Sequence, residues 1–430
     1  MILRVLPSTL TGDSVWAPPS KSIMQRVVAV ATMAEGTTMI RRPSESDDCT
    51  HALMMAAQLG AEVELGEHEI AIHGIHPLAP RSETITPGES GLGFRMFGVM
   101  SSLHNAPLTF QREGSLSIRN MSGFANALTA VGVRVVDATN NPNVMIQGPL
   151  RPGSLTIDAA GSSQVLSGLL AALPYAQGPS RLTMRNVVSR PYLDMTLEVL
   201  EDMGICIDIV EDHIEQRSLI VNIEGNQRAR GIDMTVDGDW SAASYLLALG
   251  ALCSRTHLDI EGLQSTYTQA DEAIKGALLF GGCTLAGTED GVRIRSGFPR
   301  EFHVDLTDCP DLFPPLAVLA AFAKKPSELK GLHRLANKES NRGKVIQQEW
   351  AKVGIKVELD EELDVMRVYP GTIQSARIDA HGDHRIAMAA AIFGAAGAII
   401  EIANAESVAK SYPAFFDDLK GLGVQIQTVA

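Results

Sequence analysis

Five short stretches of this chain put charged or hydroxyl side chains where a helix should begin. Pro18-Pro19-Ser20-Lys21-Ser22 leads into the apolar run Ile23, Val27, Val28, Val30, Ala31, so Ser20 reads as an N-cap and Lys21 as a residue of the first turn. A helix N-terminus carries partial positive charge from its aligned peptide dipoles, so a cation is tolerated there best when an anion also binds. Lys21 alone would read as a solvated surface lysine, but the arrangement recurs. Glu89-Ser90-Gly91-Leu92-Gly93-Phe94-Arg95 precedes Met96 to Met100, Gly161-Ser162-Ser163-Gln164 precedes Val165 to Leu173, and Gly382-Asp383-His384-Arg385 precedes Ile386 to Phe393. Ala336-Asn337-Lys338-Glu339-Ser340-Asn341-Arg342 opens a further helical segment. Lys, Arg, Ser and Gln beside Gly at helix starts suit recognition of anions and hydroxyls by backbone N–H, dipole and side chain together. Converging on one interdomain cleft, they would make a site for a pair of polyanionic ligands.

The whole chain argues for local rather than diffuse anion recognition. Its formal charge of −14 argues against a broad positive surface for nucleic acid or acidic lipid. Its five cysteines, Cys49, Cys206, Cys253, Cys283 and Cys309, are odd in number and lack a CxxC pair, which speaks against a disulfide framework or a zinc site and for a reducing compartment. The N-terminal apolar run is too short for a signal peptide, and Ala390 to Ile400 is too short to span a membrane. A cytoplasmic monomer is expected, with no nucleic-acid or membrane partner. No HxxxH, Walker or dinucleotide glycine signature is present, so no cofactor and no metal is expected.

The elements that must hold these residues repeat. A helical stretch ending in a hydrophobic residue and Gly, then a strand, occurs six times: MMAAQLGAEVEL, ANALTAVGVRVV, EVLEDMGICIDI, ALLFGGCTLA, QEWAKVGIKVEL and DLKGLGVQIQ. The marker glycines Gly60, Gly132, Gly204, Gly282, Gly354 and Gly423 are 72, 72, 78, 72 and 69 residues apart. Each would supply the left-handed residue that ends a helix, and the alternating run after it reads as a half-buried strand. The 430 residues exceed what one core usually organises, so six α/β modules in two groups of three, one group per domain, are expected.

Eleven collinear segments carry a family likeness: PPSKSIMQR, SESDD, GESGLGFR, GSLSIR, AGSSQ, SRPY, DGDWSAASY, DCPDLFPPLAV, NKESNR, GDHRIAMA and VAKSYPAFF. In this order they resemble the family of 5-enolpyruvylshikimate-3-phosphate synthases. The resemblance implies the two-domain enolpyruvyl transferase fold, an α/β architecture in which each domain has three repeated β/α modules, helices inside and sheets outside. Residues 18–230 would form one domain and 1–17 with 231–430 the other, with the active site in the cleft between them. It also implies the substrates phosphoenolpyruvate and shikimate 3-phosphate and a place in the shikimate pathway to chorismate and aromatic amino acids. Lys21, Gly91, Arg119, Gln164, Arg342, Arg385 and Lys410 are similar to the family's phosphoenolpyruvate contacts. Ser22, Arg26, Ser162, Ser163, Gln164, Ser189, Tyr192, Asp311, Arg334 and Lys338 resemble its shikimate-phosphate contacts. Asp311, Glu339 and Lys21 match its proton-transfer groups.

Enolpyruvyl transfer adds a hydroxyl to C2 of phosphoenolpyruvate while C3 takes a proton, and the resulting tetrahedral ketal phosphate loses phosphate and that proton. An acid and a base are both required. Asp311 could accept the hydroxyl proton or merely cap the helix that follows it. Glu339 or Lys21 could exchange the proton at C3. His384 could tune the cluster or pair structurally with Asp383. Arg119, Arg342 and Arg385 suit planar anion clamps and Lys21 and Lys410 movable point charges.

Three departures bear on phosphoenolpyruvate. Glu89-Ser90-Gly91-Leu92 stands where the family commonly has Asn-Ala-Gly-Thr, and a carboxylate there would repel the substrate unless paired or turned away. Asn120 replaces a proline and Asn341 an aspartate. A sister activity toward UDP-N-acetylglucosamine is the nearest alternative, but its hallmark loop cysteine is absent from 112–119. A catalytically silent binding protein is the other, and retention of both carboxylates argues against it.

Overall fold

In a computed structural model, which describes residues 1–137, 141–160, 163–211, 217–297 and 299–429, all six marker glycines have positive φ, from +77° at Gly282 to +115° at Gly60. Each follows a helix: Asp47–Gln58, Ser122–Ala130, Arg190–Asp202, Ile274–Phe280, Arg342–Lys352 and Phe415–Gly421. The residue after the glycine donates its N–H back to a carbonyl in the last turn, as in Val133 to Leu128 (3.0 Å), Ile205 to Leu200 (2.8 Å) and Ile355 to Trp350 (2.9 Å). Donor and acceptor residues in all six copies are buried, so an apolar contact closes every turn. The sequence spacing therefore reflects one supersecondary unit made six times.

That unit is strand, helix, parallel strand, helix, then an antiparallel hairpin. Thr84–Gly88, Gly91–Ser101, Leu108–Arg112, Ser122–Ala130, Arg134–Asp137 and Asn143–Gln147 form one copy. Six four-stranded sheets result, each with one parallel and two antiparallel pairings. Three copies are completed from a distance. His257–Glu261 takes its parallel neighbour Ser14–Trp16 from near the start of the chain. Thr37–Arg41 takes its parallel neighbour Asp233–Thr235 from nearly 200 residues later. The last copy, which ends with Ile426–Val429, takes Ile2–Val5 from the start of the chain as its missing hairpin strand.

The chain divides into two compact units. One comprises Pro19–Val236 with Thr266–Thr268; the other comprises Met1–Pro18, Asp237–Ser265 and Gln269–Ala430. In each, the first helices of the three modules are buried on nearly every side: Lys21–Ala31, Gly91–Ser101 and Gln164–Ala172 in the former, Trp240–Cys253, Phe313–Ala321 and His384–Ala396 in the latter. Helices apolar all round belong in a core. The strands around them alternate buried and half-exposed residues, as expected of sheets with one face inward. Among the described residues no helix is long and apolar enough to cross a membrane.

Candidate active site

The buried inner helices begin with the residues that the sequence singled out, and each unit gathers its own cluster. In the 19–236 unit, Ser20 caps helix Lys21–Ala31 by accepting from the Ile23 N–H at 3.4 Å. Lys21, its first residue, places Nζ 2.8 Å from Asp48 Oδ2. The lysine expected to await an external anion is thus already met by a carboxylate on helix Asp47–Gln58. Asp48 lies in the SESDD segment, and only the fold carries it to Lys21.

Helix Gly91–Ser101 starts beside three further groups. Ser90 accepts from the Gly93 N–H at 3.0 Å and donates to Gln25 Oε1 at 2.8 Å. A Cβ on Gly91 would lie 2.9 Å from an Arg119 guanidinium nitrogen, 3.0 Å from one of Arg95 and 3.6 Å from Gln164 Oε1. Glycine is what leaves that space open to the backbone. Arg95 donates from Nη1 to Gly91 O (3.0 Å) and Gln164 Oε1 (2.8 Å), so Gly91, Arg95, Arg119 and Gln164 are brought together. The sequence marks Arg95 only as part of a helix start; its spacing of four from Gly91 puts its side chain over that start.

The Glu89 departure has a structural answer. One carboxylate oxygen accepts from both the N–H (3.0 Å) and the Oγ–H (2.9 Å) of Ser115, and Arg119 Nη2 donates to the same Ser115 Oγ at 3.3 Å. Asn120 replaces the stiffness of a proline with a turn in which its Oδ1 accepts from the Ser122 N–H at 2.8 Å, at the start of helix Ser122–Ala130.

Two of the residues similar to shikimate-phosphate contacts, Ser22 and Tyr192, are joined by a third, Arg26. This guanidinium is buried; Nε donates to Thr196 Oγ1 (2.9 Å), Nη1 to Ser22 O (2.9 Å) and Nη2 to Tyr192 O (3.2 Å). Burial lowers its pKa to about 10. Arg26 thus ties the first turn of one helix to the start of Arg190–Asp202. Ser189 precedes that helix in the left-handed region (φ +56°), a conformation that costs a non-glycine residue about 1 kcal/mol or more and is held by its surroundings. Ser163 is the buried N-cap residue of Gln164–Ala172; Ser162 lies outside the described residues.

The 237–430 unit gathers a denser cluster. Asp311 occupies a short 3-10 turn, Pro310–Leu312, and neither that turn nor the helix Phe313–Ala321 after it has a side-chain N-cap. Instead Oδ1 lies 2.8 Å from Arg342 and 3.4 Å from Lys338, and Oδ2 lies 3.0 Å from Arg385. Arg342, fully buried, also reaches Glu339 (2.8 Å) and Asp383 (3.0 Å). Asp383 caps helix His384–Ala396 and accepts from the Arg385 N–H (3.1 Å) and Ser340 Oγ (3.1 Å). Asn341 is the N-cap of Arg342–Lys352, its Oδ1 accepting from the Lys344 N–H at 3.3 Å. His384 is buried in the first turn of its helix, Lys410 is buried at the end of the 3-10 turn Ala405–Lys410, and Arg334 lies in the turn Leu332–Leu335.

The electrostatics follow from this packing. Burial would raise the pKa of Asp311, but Arg385, Lys338 and Arg342 outweigh it and hold the carboxylate well below its ordinary range. Burial opposes the charge of Arg342, yet Asp383, Asp311 and Glu339 raise its pKa. Lys338 is pushed down, mainly by burial. Behind Asp311, Asp271 is raised to about 6 by burial and by the Asp311 charge. Three cations and three carboxylates thus stand interleaved, able to grip an anion and to hold a proton at one point.

Known proteins share this architecture. The structure superposes on EPSP synthase from Acinetobacter baumannii with a TM-score of 0.81 at 24% identity, over 100% of both chains. It superposes on the enolpyruvyl transferase NikO from Streptomyces tendae with a TM-score of 0.74 at 16% identity, over 99% of this chain and 98% of that one. These define the enolpyruvyl transferase fold. In sequence, the chain is 33% identical over 431 residues to the 3-phosphoshikimate 1-carboxyvinyltransferase of Methanoculleus marisnigri, covering 99% of this chain and all of the other. It is 34% identical to that of Aeropyrum pernix, covering 99% and 96%. The profile of EPSP synthase (3-phosphoshikimate 1-carboxyvinyltransferase) matches residues 7–419, and the chain belongs to that family.

Proposed function

We propose that this chain transfers the enolpyruvyl group of phosphoenolpyruvate to the 5-hydroxyl of shikimate 3-phosphate, releasing phosphate on the route to chorismate and the aromatic amino acids. The observation that carries the reading is the Asp311 carboxylate held by Arg342, Arg385 and Lys338 with Glu339 alongside. A proton acceptor set among anion clamps is what the reaction needs.

In this reading Lys21, Arg119, Arg342, Arg385 and Lys410 serve the carboxylate and phosphate of phosphoenolpyruvate, as do Gly91 and Gln164. Ser22, Arg26, Ser162, Ser163, Ser189, Tyr192, Arg334 and Lys338 serve shikimate 3-phosphate. Asp311 takes the hydroxyl proton as oxygen attacks C2. Glu339 or Lys21 delivers a proton to C3 and recovers it as phosphate leaves. Held low by three cations, Asp311 is a weak base; an anionic substrate that draws on Arg342 and Arg385 raises its pKa toward usefulness. Tight guanidinium clamps also stabilise the charge that grows on the departing phosphate. We further propose that the chain works as a cytoplasmic monomer; its five free thiols fit a reducing compartment.

The test is phosphate release from phosphoenolpyruvate mixed with either shikimate 3-phosphate or UDP-N-acetylglucosamine. Release with the former alone is expected. Release with the nucleotide sugar alone would reassign the acceptor, and release with neither would leave a binding protein.

A further inference from the structure

We propose that Glu89 is a positioning residue for Arg119, acting through Ser115, and so sets the affinity for the anionic substrate without touching it. The inference rests on the reading of Arg119 as a phosphoenolpyruvate contact. Arg119 follows strand Leu108–Arg112 and the short turn Gly114–Ser117 on a loop that needs holding, since its neighbour Ile118 is 87% exposed. Three anchors hold it. Leu116 is buried in the core. Arg112 donates from Nη1 to Arg119 O (3.4 Å), while its Nε and Nη2 donate to Pro142 O and Asn141 O at 3.0 Å each, fixing the backbone at Arg119. The third is Glu89, which accepts both donors of Ser115 on one oxygen and thereby aims the Ser115 hydroxyl lone pair at Arg119 Nη2.

Gly114 fits the same device. Its φ is +45°, and a Cβ there would fall 2.2 Å from the Glu89 carboxyl carbon, so the loop closes over this carboxylate only with glycine at that point. The asparagine common in the family is one methylene shorter than Glu89. Its amide would also bring an N–H₂ donor in place of one acceptor oxygen. The departure that would otherwise repel phosphoenolpyruvate is a carboxylate with one oxygen engaged by a loop N–H and a hydroxyl.

Steady-state kinetics with phosphoenolpyruvate varied, on Glu89→Ala, Glu89→Gln, Ser115→Ala and Arg119→Ala, test the proposal. Glu89→Ala should raise KM for phosphoenolpyruvate about tenfold with kcat within about twofold, the loss expected of one charge-assisted hydrogen-bond anchor. Glu89→Gln retains an acceptor oxygen and should stay within about threefold of the parent, and Ser115→Ala should fall between the two. Glu89→Ala added to Arg119→Ala should cost nothing more, since the residue it positions is gone. A lower or unchanged KM in Glu89→Ala, with Arg119→Ala impaired, would overturn the proposal and leave Arg119 in place. Equal KM increases in Glu89→Gln and Glu89→Ala would also overturn it, because charge rather than the acceptor would then matter. An unchanged KM in Arg119→Ala would overturn the assignment of Arg119 and the proposal with it.

Discussion

In the 237–430 unit Arg342 faces Asp311, Glu339 and Asp383 at once, whereas in the 19–236 unit Lys21 has Asp48 and Arg119 is reached through a serine. Both clusters put cations at helix starts. The first neutralises them with a buried network in which Asp311 and Arg342 each face three opposite charges; the second uses an ion pair, a glutamine and a loop. A dense network makes each member costly to remove, because its partners are left buried and uncompensated. A loop-borne cation can be lost with less harm to the fold and more harm to ligand affinity alone.

The contrast is broken most directly at Arg342. Arg342→Met should cost about 3–5 kcal/mol of unfolding free energy, measured by urea denaturation, because three carboxylates lose a shared partner. Arg119→Met should change that quantity far less. Similar values for both would mean that the dense cluster is no more structural than the loop. Next in size, Asp311→Ala should lower turnover by about 10² while binding of substrates stays measurable. A matching loss of affinity in calorimetry would make Asp311 structural.

Acid sharpens the contrast further. The folded pKa of Asp311 lies below its unfolded value, so its contribution to stability is full above about pH 4 and is lost as pH falls through the folded pKa. The stability difference between the parent and Asp311→Asn should therefore shrink on acidification below about pH 4. A difference that does not change with pH would show that the cations do not hold this carboxylate. The smallest effect lies away from both clusters. Gly204→Ala should cost about 1 kcal/mol, because φ is +82° but no atom lies within 4 Å of the added Cβ, leaving backbone strain alone. Gly60→Ala should cost more, since its Cβ would meet Ala79 O at 2.5 Å.

Much of this molecule is local and therefore readable. The left-handed glycine after a helix, the alternating strand behind it and the serine cap at Ser20 depend on neighbours within a few residues, so the six modules and the helix starts could be read along the chain. The likeness in eleven segments supplied the family. What the chain alone could not say is what each cation faces. Lys21 looked like a lysine awaiting a ligand, and the carboxylate opposite it comes from 27 residues away. Asp311 looked equally like a helix cap, and the arginines that claim it arrive from 31 and 74 residues later. Glu89 looked like a repulsive charge until Ser115 closed on it. Composition and spacing fix which groups exist and which elements carry them; pairing depends on distances of a few ångströms across packed elements, and only the tertiary structure sets those.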